Sequence, residues 1–145
     1  MNAMLAALCY AAAFSAAWLV AIPQAILIDH GRPIRHGLWL AAYLVVGFLT
    51  TWMAMPTLAL ALLVLPGMAG VFSAAFRWAL NDLRDLPWYY LGPDPAAGKA
   101  PGRSIYDLAA WRIARLLRCR PVHVALFVEL GTAVAVYLII TICRT

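Results

Sequence analysis

From Gly37 to Phe76 the chain runs about 40 residues without one charged side chain. As a helix that run would be about 60 Å long at 1.5 Å per residue, twice the roughly 30 Å of a bilayer's hydrocarbon core. A stretch like this cannot be one helix of a soluble domain, and its middle holds Pro56 between Trp52, Thr57 and the flanking apolar residues. Proline is disfavoured inside a helix. The expected form is therefore a tight hairpin of two spans, about 38–54 and 57–80.

Two further apolar segments flank the hairpin. Met1 to Ile28 has no charged side chain, and Val124 to Cys143 has one, Glu129. They predict spans at about 3–28 and 122–143. The first lacks the basic start of a cleavable signal peptide, and its apolar run is too long for one, so it is expected to stay as a span. Composition agrees: 66% of the 145 residues are hydrophobic, 12% are charged, and the mean hydropathy is +0.85. A soluble domain of this size leaves about a third of its unfolded surface in contact with water and cannot hide so much apolar surface. The predicted architecture is all-α: one polytopic membrane domain over 1–145, with four transmembrane helices and one interfacial amphipathic helix.

Charge sets the expected orientation. With four spans, the connections at 29–36 and 77–121 share one side. They carry Arg32, Arg35, Arg77, Arg84, Lys99, Arg103, Arg112, Arg115, Arg118 and Arg120, while the opposite side has only Arg144. Basic loops stay in the cytoplasm. Both termini are therefore expected in the periplasm of a bacterial inner membrane, a source hinted at by the excess of Arg over Lys and the abundance of Ala. The net charge of +5 then reads as attraction to anionic headgroups. Nucleic acid is not an expected partner.

The cytoplasmic connection should continue the third helix through Arg77–Asp85 and stop it at Leu86-Pro87, since a residue before proline is pushed out of helix. Trp88, Tyr89 and Tyr90 follow, rings suited to the membrane interface. Gly92 to Gly102 is a Pro/Gly-rich loop without phosphate-binding spacing. Ser104 and Asp107 form a capping-box start for a helix of about 104–118. On its wheel Ile105, Leu108, Ala109, Ile113 and Leu116 share one side, with Arg112 snorkelling among them; Asp107, Trp111, Arg115 and Arg118 lie opposite. This pattern predicts a helix lying on the inner leaflet, with Arg77, Arg84, Arg112, Arg115, Arg118 and Arg120 at headgroups. Docking of a partner protein is the alternative.

The run Leu80-Asn81-Asp82-Leu83-Arg84, then Pro87-Trp88-Tyr89-Tyr90-Leu91-Gly92, then Ser104 and Asp107, resembles a pattern in small uncharacterised multi-span membrane proteins of bacteria and their phages. There Asn-x-Leu-Arg leads to an aromatic Tyr-Leu-Gly and a Ser-x-x-Asp start. The resemblance covers about a fifth of the chain, which departs from the pattern by the Pro/Gly insertion between Gly92 and Ser104. It implies no activity and points toward a prophage-type gene.

Glu129 stands about eight residues, or about 12 Å, inside the last span. An acid at a helix centre costs about 2.5–3.5 kcal/mol, and the eleven Val, Leu, Ile and Phe residues from Val124 to Ile142 return about 3–7 kcal/mol. Insertion is allowed, provided that Glu129 faces protein or water. It is expected to be a proton or ion relay, a charge pair with another subunit, or a protonated carboxyl bonded between helices. Small residues at helical spacing mark packing faces: Ala13, Ala17, Ala21 and Ala25; Gly70 and Ala74; Gly131 and Ala135. These faces serve the bundle itself or a second protein.

No catalytic set is evident. Glu129 has no second acid or histidine one turn away, and Ser15 and Ser73 have no base beside them. His30, His36, His123 and Cys119 match no metal-ligand spacing, so no metal and no cofactor are expected. Cys9, Cys119 and Cys143 imply no disulfide framework. The expected function is a non-enzymatic accessory or assembly subunit that binds another membrane protein through its spans. The rival is a homo-oligomeric pore, small transporter or holin-like protein using Glu129. A lipid-modifying enzyme, with Asp29 and His30 or His36, is the remaining alternative.

Overall fold

A computed structural model describes residues 2–31, 36–91 and 105–142, with the backbone alone at 36–42, 44 and 105–107. Among the described residues there are five helices: α1 (Asn2–Asp29), α2 (His36–Ala54), α3 (Leu58–Asp82), α4 (Ile105–Leu117) and α5 (Pro121–Ile142). Three of them, α1, α3 and α5, are long and apolar enough to cross a membrane. In α2 the apolar stretch among the described positions is Val45–Ala54.

The hairpin forms at the expected proline. Residues 55–57 leave the helix, the Met55 amide still donates back to the Thr51 carbonyl (2.8 Å), and Thr57 caps α3. Its backbone is extended, and its hydroxyl accepts the Leu60 N–H at 3.3 Å, satisfying one of the donors a helix start leaves open.

α3 is the centre of the bundle. It packs along α1 and α5 and more lightly on α2, while α4 rests on α5. α1 meets it through a stripe of small buried residues: Ala6, Cys9, Ala13, Ala17, Ala21 and Ala25. Small side chains let backbones approach closely where no hydrophobic force between helices is available. At one end Ala6, Cys9 and Ala13 join Met55, Ala61, Val64, Met68, Val136 and Ile140 in one core.

Only 28%, 33% and 28% of the most apolar windows of α1, α3 and α5 are buried. Leu8, Leu19, Ile26, Phe127, Val134 and Leu138 all face outward. A monomer in water would expose far more contiguous apolar surface than soluble proteins carry. A bilayer removes the difficulty.

Two features differ from expectation. α3 stops at Asp82, short of Asp85. The chain closes there by a tight reversal: Leu86 N–H donates to the Asn81 carbonyl (2.8 Å) and Asp85 N–H to that of Asp82 (3.2 Å), with Asp85 at φ 51°. This is the Schellman pattern of a helix end, and the turn ends the helix before Pro87 can. α4 closes in the same way, with Cys119 N–H on the Ala114 carbonyl (3.0 Å), Arg118 N–H on that of Arg115 (3.4 Å), and Arg118 at φ 52°.

The second difference concerns which face α4 buries. It leans on α5 through Ala110 and Ala114, packed with Val124, Ala125, Leu91 and Cys119. That face lies between the two sides of the predicted wheel. Leu108, Ile113 and Leu116 remain exposed, so the broad apolar side is left uncovered. Ser104 lies outside the described residues, as do Arg32, Arg35, the Pro/Gly loop, Cys143 and Arg144.

The left-handed conformation costs an L-residue with a Cβ about 1–2 kcal/mol. Arg118→Gly is therefore expected to raise the melting temperature of the detergent-solubilised protein. Asp85→Ile, with a branched side chain at such a position, is expected to lower it. Unchanged melting in both variants would mean that these turns do not hold the helix ends.

Candidate functional site

The polar centre of the bundle lies between α3 and α5. Gly70 of α3 sits directly against the backbone of Glu129, so that any Cβ added there would overlap the Glu129 carbonyl. This close approach follows from glycine's missing side chain. It brings the next two positions on the same face of α3, Ser73 and Arg77, to the Glu129 side chain. The Ser73 hydroxyl donates to Oε1 at 2.7 Å. The Arg77 guanidinium donates to the same oxygen and forms an ion pair with it. Glu129 is buried and Arg77 nearly so. Glu129 Oε2 is buried and has no hydrogen-bond partner among the described residues.

The sequence pattern assigned Arg77 to the headgroups, as the first cation after the apolar run. Its side chain turns into the bundle instead. The signal was present in the chain: Gly70, Ser73 and Arg77 follow at i, i+3 and i+7, one face of one helix. Arg77 lies five residues from the end of α3 and Glu129 eight from the start of α5, so antiparallel neighbours would bring them to similar depth. Glu129 thus has its countercharge within the same chain.

A small cleft of ≈ 210 Å³ beside this pair is bounded by Pro66, Ala69, Gly70, Ser73, Val128 and Thr132 together with Glu129. One turn further along α5, Tyr10 of α1 donates its hydroxyl to the Ala133 carbonyl (3.2 Å) and its ring occupies the space a side chain at Gly67 would need. Three helices are thereby joined at one level by Gly67, Gly70 and Tyr10. Gly67 and Tyr10 were not singled out by the sequence pattern.

The other small residues divide by direction. Ala13, Ala17 and Ala21 are consumed inside the bundle, and Ala74 is half-buried beside a separate groove. Gly131 and Ala135 point outward, and nothing lies within 4 Å of where a Gly131 side chain would begin.

At the end of α3, buried Asn81 organises the aromatic turn. Its side-chain amide donates to the carbonyls of Trp88 (3.3 Å) and Tyr90 (2.9 Å). This gives the Asn81…Trp88-Tyr89-Tyr90 motif a physical role. Trp88 and Tyr89 are exposed, their rings meet edge to face at 5.7 Å, and the Arg120 guanidinium lies 5.1 Å above the Tyr89 ring. That spacing is in the range of cation–π attraction. Arg84 is partly buried, and its Nε has no partner among the described residues. Arg112 and Arg115 are exposed on α4, and Arg118 is exposed in the turn that follows it.

Three of the four weak metal candidates can be placed. His30 bonds through Nδ1 to the Ile26 carbonyl at 2.7 Å and so closes α1. His123 is exposed, Cys119 packs between α4 and α5, and the His36 side chain lies outside the described residues. Among the described residues no three His, Cys, Asp or Glu side chains are grouped to hold a metal.

No protein-family model, curated protein or solved structure matches the chain.

Removing one member of a buried ion pair costs about 3–5 kcal/mol, whereas replacing both with apolar residues is often neutral. Glu129→Ala is expected to lower stability strongly in detergent unfolding, and Arg77→Met/Glu129→Leu to recover most of it. Equal losses in the single and double variants would mean that the two residues do not act as a pair.

Proposed function

We propose that the chain is a four-span bacterial inner-membrane protein that serves, without catalysing a reaction, as an accessory or assembly subunit of another membrane protein. α2, at 19 residues, would span about 28 Å, close to the hydrocarbon thickness. Counting it as a span gathers ten basic residues on one side against one on the other, which favours periplasmic termini and cytoplasmic connections at 29–36 and 77–121. The exposed Leu108, Ile113 and Leu116 of α4, with Arg112 among them, support a helix lying on the inner leaflet.

The observation that carries the accessory reading is the outward Gly131–Ala135 step on α5. The small residues of α1 serve the bundle, but this step is open, and a small-xxx-small step lets a second helix approach closely. Native mass spectrometry of the protein from its own host, in mild detergent, is expected to give a heteromeric mass that Gly131→Ile reduces to the single chain. A monomer in the unmodified protein would contradict the proposal.

One observation favours a second reading, a homo-oligomeric pore, small transporter or holin-like protein. Glu129 Oε2, which has no partner among the described residues, would lie at membrane depth, where an ionisable group is a functional candidate by default. On that reading, liposomes show a proton or ion leak that Glu129→Gln changes. No leak, or equal leak in both proteins, would remove it.

A further inference from the structure

A second concavity of ≈ 470 Å³ opens between α1, α3 and α5, away from the Glu129 cleft. Phe14 of α1, Val71, Ala74 and Trp78 of α3, and Leu130 of α5 form its walls, and Trp88 from the turn after α3 contributes to the same lining. The volume is that of a ligand site, which runs from about 300 to 1,000 Å³. Its wall is built: Trp78 meets Phe14 edge to face at 6.2 Å and Trp18 at 6.0 Å, while Asn81 fixes the backbone of the turn bearing Trp88 through the Trp88 and Tyr90 carbonyls.

Charge at one end says what would fill it. Trp88 is in ring contact with Tyr89, and Tyr89 carries the Arg120 guanidinium over its face. Trp88 at the edge of the groove is thus two ring contacts from a cation, which the proposed topology places on the basic side of the membrane. The complementary ligand is an amphiphile with a flexible apolar chain and an anionic head. Water would leave the apolar walls unsatisfied, and a zwitterionic head would offer the guanidinium a phosphate already neutralised by its own ammonium.

We propose that this groove is a binding site for one acyl chain of an anionic, phosphate-headed membrane lipid, with the phosphate at Arg120. The site rests on the membrane reading above but is independent of the accessory role. It is more specific than a general attraction to headgroups, because one chain is held between named helices and one cation selects the head.

The test is native mass spectrometry of the full chain, purified in mild detergent from vesicles of equal phosphatidylglycerol and phosphatidylethanolamine. The expected result is retention of one phosphatidylglycerol in preference to phosphatidylethanolamine. Arg120→Ala should reduce that preference about fivefold, the factor equivalent to about 1 kcal/mol for one basic side chain near an anionic surface. Leu130→Trp, at a position already 44% exposed and so tolerant of a larger residue, should block the groove and abolish retention of both lipids without changing the melting temperature. Ala74→Phe should block the groove from α3. Equal retention of the two lipids by the unmodified protein would overturn the proposal, as would unchanged retention in Leu130→Trp and Ala74→Phe. Displacement of lipid by a bound protein that Leu130→Trp releases would also overturn it, since the groove would then be a protein interface. Recovery of the chain in the soluble fraction would instead defeat the membrane reading, so the two failures are distinct.

Discussion

A carboxylate placed about 12 Å inside an apolar helix needs a partner, and the arrangement of this bundle follows from how Glu129 finds one. Gly70 removes the side chain that would keep α3 and α5 apart. The helices close until Ser73 and Arg77 reach the same carboxylate oxygen. The pair then makes that closeness obligatory, because separating the helices would leave both charges buried and alone. Tyr10 extends the same constraint to α1 by bonding the Ala133 carbonyl, one turn beyond Glu129, while resting on Gly67. Three helices are thus fixed at one level by two glycines, a tyrosine and an ion pair, and the apolar residues around them are free to meet lipid.

That division of labour explains an otherwise inverted distribution of residues. The largest apolar side chains, such as Leu19, Phe127 and Ile142, lie outside, whereas alanines line the interior. In water this would be unfavourable. In a bilayer the exterior gains nothing by hiding, and packing quality comes from small residues and internal hydrogen bonds. The sheltered carboxylate also bears on function. With Glu129 paired to Arg77 within the chain, a second subunit is not needed to neutralise it, and among the surfaces left open on the described residues are the outward Gly131–Ala135 step, the apolar side of α4 and the groove beside Trp78 and Trp88.

Much of the architecture was legible in the residues. Pro56 and Thr57 marked the hairpin because a proline and a capping hydroxyl act locally. The fourfold alanine spacing of α1 marked its buried stripe, since one helix face is a matter of period alone. What escaped was tertiary or conformational. Arg77 looked like the edge of a span, and only the depth-matched approach of α5 turns it inward. Asn81 looked like one more polar residue at a helix end, and its role depends on carbonyls seven and nine residues later. The helix ends at Asp85 and Arg118 carry no glycine to announce their left-handed turns. The face that α4 buries was hidden because Ala110 and Ala114 are too small to weigh on a hydrophobic wheel, although small residues are what close packing uses.

The most direct test of this account exchanges the charges. Arg77→Glu and Glu129→Arg alone should each place two like charges against one another and abolish accumulation of folded protein in the membrane. The double exchange should restore accumulation and melting close to the unmodified chain. Folding of either single variant as well as the double would contradict the claim that this pair joins α3 to α5.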